Sequence, residues 1–68
     1  MEDKMFINID IERLRCRMSR TEMAVRLQIS PETLADWITR RQAIPADKLI
    51  AISELLGDIS IDYLLKKD

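Results

Sequence analysis

Met18 to Pro45 constrains the fold of this chain more than any other stretch, because it contains two helix starts joined by a short turn. Ser19 stands three residues before Glu22, the spacing of a capping box. In that device the Ser hydroxyl accepts from the Glu22 N–H, and the Glu carboxylate reaches back to the Ser19 N–H. Met23, Ala24 and Leu27 follow at helical spacing and are expected to face inward. The chain then turns through Gln28 and Ile29, and Ser30-Pro31 opens a second helix. Ser is a good cap there, and Pro at the first helical position needs no N–H. Two short helices, a tight connection and a small residue (Ala24) at their crossing predict a helix-turn-helix. Its second helix has the shape that enters a DNA major groove.

The rest of the chain reads as three more helices around this unit, giving an all-α five-helix bundle in a single domain over residues 1–68. The first is expected from Asn8 or Asp10 to Arg17, with Ile11 and Leu14 inward. The alternation Ile7-Asn8-Ile9-Asp10-Ile11 also allows a short extended opening. The helix-turn-helix pair covers about Arg20 to Gln28 and about Pro31 to Thr39 or Arg40, with Leu34, Trp37 and Ile38 as the apolar face of its second member. Trp37 is expected in the core, its indole N–H on a backbone partner. Pro45 starts a fourth helix with Leu49, Ile52 and Leu55 or Leu56 inward, and Gly57 stops it. Ser60 caps a last turn that returns Tyr63 or Leu64 to the core. At 68 residues there is one small core, of modest stability, so dimerisation would help.

Several function classes lack their chemistry here. The chain has no His and one cysteine, Cys16, so zinc sites and an internal disulfide are not expected. Cys16 reads as a small core or half-buried residue. Nucleophilic catalysis lacks its usual base, there is no Gly-rich phosphate loop, and no inward pair of carboxylates is evident. No catalytic residue, cofactor or small-molecule ligand is therefore expected. No apolar run approaches the ~20 residues of a membrane span, and the acidic N-terminus does not read as a secretory signal. A cytoplasmic protein is expected.

The net charge of −1 hides a division. Residues 1–10 carry Glu2, Asp3 and Asp10 against Lys4, and residues 46–68 are acidic in balance as well. Between them lie Arg13, Arg15, Arg17, Arg20, Arg26, Arg40 and Arg41 against four acids. All the central cations are arginine, the better fork for phosphate, and a local field rather than net charge steers a small domain onto DNA.

Taken in order, Met18-Ser19-Arg20, Met23-Ala24, Leu27, Ile29-Ser30, Thr33-Leu34 and Trp37 form one pattern, continued by Ile44-Pro45 and Ser60-Ile61-Asp62-Tyr63-Leu64-Leu65. This set resembles the Cro/phage-repressor (Xre-like) helix-turn-helix family over about residues 9–65. The resemblance implies a regulator that binds double-stranded DNA, usually as a homodimer on a palindromic operator in bacteria, phage or mobile elements. By position it implies base contacts from Pro31, Glu32, Thr33, Ala35 and Asp36, and phosphate contacts from Ser19, Arg20, Thr39, Arg40 and Arg41.

Three departures from the family pattern stand out. Ile38 occupies a position where the family often has a Glu paired with an arginine of the first helix, which leaves Arg13 free for phosphate or solvent. Thr39-Arg40 replaces the usual Asn-Gly, so this helix end must be capped differently. The connection Gly57-Asp58-Ile59-Ser60 is one residue longer than usual.

The recognition face carries no Arg, Lys, Asn or Gln before Arg40, the side chains that read purines bidentately. Glu32 and Asp36 can accept from a cytosine amino group, and Thr33 and Ala35 can pack on a thymine methyl. An acidic face of this kind also suits a second function, a protein-interaction module that keeps the fold and holds a basic partner.

Overall fold

The computed structural model describes residues 4–67, which form five helices: α1 (Ile7–Arg15), α2 (Arg20–Leu27), α3 (Pro31–Ile38), α4 (Ala46–Leu55) and α5 (Ile61–Leu64). The all-α architecture and the helix order agree with the sequence reading. Ile7-Asn8-Ile9 is helical rather than extended. An extended segment there would need a sheet partner for its backbone, whereas the Phe6 N–H donates to the Ile38 carbonyl at 2.9 Å and starts α1 from the end of α3.

The core lies where α2, α3, α4 and α5 converge under α1. Ile9, Met23, Leu34, Ile38, Ile52 and Leu64 are fully buried in it. Ala24 is fully buried as well, in the helix that packs on α3. Each large aliphatic side chain so buried contributes roughly 1.5–3 kcal/mol of transfer free energy before ordering costs.

α1 departs most from expectation. Ile11 and Leu14 were expected inward; they are 39% and 63% exposed, while Asp10 and Glu12 are buried. The inner side of α1 lies against polar partners, which hydrophobic periodicity cannot register. Asp10 accepts from Arg13 and Arg20, and Glu12 accepts from the Tyr63 hydroxyl at 2.9 Å. Asn8 adds a bond from its side-chain amide to the Tyr63 carbonyl at 2.8 Å, tying α1 to α5. Ile9 alone supplies the fully buried apolar anchor of this helix. Cys16, expected to be half-buried or better, is exposed, with its thiol 3.9 Å from the Leu56 carbonyl.

Helix ends are closed by a repeated device. After α1, Arg17 adopts a left-handed conformation (φ 60°), its N–H donates to Leu14, and the Met18 N–H donates to Arg13. After α3, Arg40 does the same (φ 67°), its N–H bonding Trp37 and the Arg41 N–H bonding Asp36 at 2.7 Å. Both are Schellman caps with arginine where glycine is commonest. This is how the α3 end is built without Asn-Gly. Lys48 closes α2 from outside, donating to the Leu27 carbonyl at 2.7 Å. No helix among the described residues is long and apolar enough to cross a membrane.

Candidate nucleic-acid interface

α2 and α3 pack on each other, and each starts on its own cap. The Ser19 hydroxyl accepts from the Glu22 N–H at 3.0 Å, and the Ser30 hydroxyl accepts from the Thr33 N–H at 3.1 Å. Each such cap is worth about 1 kcal/mol. The reciprocal half of the capping box is replaced: the Glu22 carboxylate lies 3.7 Å from Arg26, one turn on. Gln28 takes a left-handed conformation (φ 61°) to end α2, and the Ile29 N–H bonds back to Ala24.

α3 turns Leu34, Trp37 and Ile38 into the core. The Trp37 ring is buried as expected, but its indole N–H makes no hydrogen bond among the described residues. The opposite side of α3 presents Pro31 and Glu32 to solvent, with Thr33, Ala35 and Asp36 partly exposed. The expected base-contact residues therefore share one outward face. Not all of their polar atoms are free. Thr33 Oγ1 accepts from the Ser30 hydroxyl at 3.0 Å, which leaves its own O–H and methyl outward. The Asp36 carboxylate accepts from the Gln42 side-chain amide at 3.0 Å. Thr39 turns its hydroxyl back on the Ala35 carbonyl at 2.8 Å.

The arginines divide into committed and available. Arg13 was expected to be free for want of a Glu at position 38. It is instead 11% exposed, donating to Asp10 at 3.0 Å and to the Met18 carbonyl at 2.6 Å. Asp10 supplies from within α1 the carboxylate that Ile38 does not. Arg20 lies across the same carboxylate, with Nη2 at 2.6 Å and Nε at 3.3 Å, and keeps about a third of its side chain exposed (38%). Burial pushes the Asp10 carboxyl upward, but the Arg20 and Arg13 hydrogen bonds outweigh it and hold the group below its ordinary value. The same bond raises Arg20, against a smaller opposing effect of burial.

Arg40 folds back on the N-terminal segment, its guanidinium over the Phe6 ring at 5.7 Å and donating to the Lys4 carbonyl at 3.2 Å. Arg41 is exposed and has no ion-pair partner among the described residues. It lies in the loop after α3, next to Gln42. Ser19 is exposed at the start of α2.

Two side chains escaped the sequence reading. Asp10 gave no signal, because a carboxylate on a helix normally reads as solvated surface. Gln42 gave none either, since six residues separate it from Asp36 and only the left-handed turn at Arg40 brings the two together. Two carboxylates, Asp10 and Glu12, are buried even though no inward pair was evident in the sequence. They face different partners, so they do not form a cooperating pair.

A family model described as helix-turn-helix matches residues 9–64, nearly the whole chain. No curated protein and no solved structure matches it.

Proposed function

Because the chain belongs to the Cro/phage-repressor (Xre-like) helix-turn-helix family of DNA-binding regulators, we propose that it is a sequence-specific transcriptional regulator. On this reading it acts as a homodimer on a palindromic operator of a bacterial, prophage or mobile-element gene. One observation carries the proposal. α3 is fixed from beneath by Leu34, Trp37 and Ile38, while Pro31, Glu32, Thr33, Ala35 and Asp36 stay together on its outward side. Such a helix enters the major groove as a rigid body, with no ordering cost at the moment of binding.

Phosphate contacts would come from both flanks. Ser19 and Arg20 lie at the start of α2, and Thr39, Arg40 and Arg41 follow α3. Arg41 is the strongest candidate among them because its guanidinium is uncommitted. Arg20 offers only the edge left over from Asp10, and Arg40 must first leave Phe6. The test is retention of source-genome fragments by the purified domain at about 150 mM salt. One enriched palindrome with half-sites about 34 Å apart supports the proposal. Weak retention without enrichment, lost as salt rises, would contradict it and favour a module that binds a basic protein.

A further inference from the structure

On the acidic recognition face, Asp36 is hydrogen-bonded by Gln42. Asp36 stands one helical turn beyond Glu32 on the outward side of α3, where a carboxylate repels the phosphates that flank a major groove. It is not a bare charge. Its Oδ2 accepts from the Gln42 Nε2 at 3.0 Å, and its carbonyl accepts from the Arg41 and Gln42 backbone N–H groups at 2.7 and 3.3 Å. The chain reversal at Arg40 thus lays an exposed Gln42 back onto the face of the recognition helix.

A carboxylate only accepts, so the amide of Gln42 must turn its nitrogen, not its oxygen, toward Asp36. One N–H is then used, leaving the second N–H and Oε1 without a partner among the described residues. A donor and an acceptor side by side on one amide match the N7 acceptor and N6 amino donor of adenine. The clamp also fixes a side chain that would otherwise lose several rotamers on binding.

We infer that Gln42, oriented by Asp36, is a base-reading side chain of this domain and that adenine is the base it fits. Gln42 is the contacting residue and Asp36 the positioning residue. The inference rests on the DNA-binding reading above and adds a bidentate adenine contact of a kind that no side chain of α3 offers.

The experiment is selection of bound sites from a randomised DNA duplex pool by the wild-type domain, Gln42→Ala, Asp36→Ala and the double variant. All the altered side chains lie at the surface end of α3 and its loop, and thermal unfolding checks that each variant is folded. The wild type is expected to enrich adenine at one position of each half-site. Each single variant should lose that preference about tenfold, the double variant should lose no more, and other positions should keep theirs. A merely structural role for Asp36 would weaken binding to all sequences alike. Retained adenine preference in Gln42→Ala overturns the inference while leaving operator binding intact. Absence of any enrichment by the wild type overturns operator binding itself, and the inference with it.

Discussion

Two junctions of this small domain use similar residues to opposite ends. Between α1 and α2, Asp10 is buried and held by Arg13 and Arg20, with Arg17 reversing the chain in a left-handed conformation. Between α3 and α4, Asp36 is partly exposed and held by a neutral Gln42, with Arg40 reversing the chain in the same way. At the first junction Asp10 and Arg13 are consumed by the fold, and Arg20 keeps only part of its side chain at the surface. At the second the polar groups stay at the surface, where a partner can use them. The same residue types are thus held inside the fold at one junction and left at the surface at the other.

That contrast breaks most sharply at the two aspartates. Asp10→Ala leaves Arg13 almost buried without its carboxylate, a loss of about 3 kcal/mol. For a domain of this size that removes a large share of total stability, and urea unfolding should show the midpoint fall. Asp36→Ala, whose partner can turn to water, should stay within about 0.5 kcal/mol of wild type. Equal losses in the two variants would erase the distinction. Arg20→Ala sits between them at about 1 kcal/mol, since its side chain is partly exposed and solvent screens the pair.

Acid titration sharpens the comparison. Asp10 is held below its ordinary value of 3.8, so its contribution is complete above that value and is lost as pH falls through the lower folded value. Stability measured from pH 6 down to pH 2 should drop in the wild type, and Asp10→Asn should flatten that drop. Tyr63 works with the opposite sign. Its hydroxyl donates to Glu12 and is raised above its ordinary value of 10.0, first by that bond and then by burial. Its contribution is full below pH 10 and lost as pH rises through the folded value, so Tyr63→Phe should weaken the neutral-pH fold and blunt its alkaline loss.

A smaller effect separates the two chain reversals. Arg17→Gly relieves a left-handed residue whose side chain is exposed, and should raise stability by about 0.5–1 kcal/mol in thermal unfolding. Arg40→Gly relieves the same backbone but removes the guanidinium from the Phe6 ring, worth about 0.5–1 kcal/mol at an exposed site. Its net change should therefore be close to zero.

The sequence made the helix-turn-helix legible because its signals are local. Ser19, Ser30 and Pro31 mark helix starts through contacts within three residues, and Leu34, Trp37 and Ile38 mark the inner face by spacing alone. What it concealed depends on distant partners. The inward turn of α1 follows from Arg20 and Tyr63, which lie 10 and 51 residues from the carboxylates they bond. Periodicity favoured Ile11 and Leu14 there because it weighs apolar burial and is blind to a waiting counter-charge. The outward grouping of Pro31, Glu32, Thr33, Ala35 and Asp36 was readable, but Gln42 was not. Its place is set by the left-handed backbone at Arg40, a conformation that the residue type does not announce.

The most direct test of this division measures how binding to a mixed-sequence duplex depends on salt for wild type, Arg20→Ala and Arg41→Ala, with unfolding midpoints taken alongside. Each phosphate contact contributes about 0.9 to the slope of log affinity against log salt. Arg41→Ala is expected to reduce the slope by about that much with an unchanged midpoint, whereas Arg20→Ala lowers the midpoint and changes the slope less. A full unit of slope lost in Arg20→Ala at an unchanged midpoint, with none lost in Arg41→Ala, would contradict it.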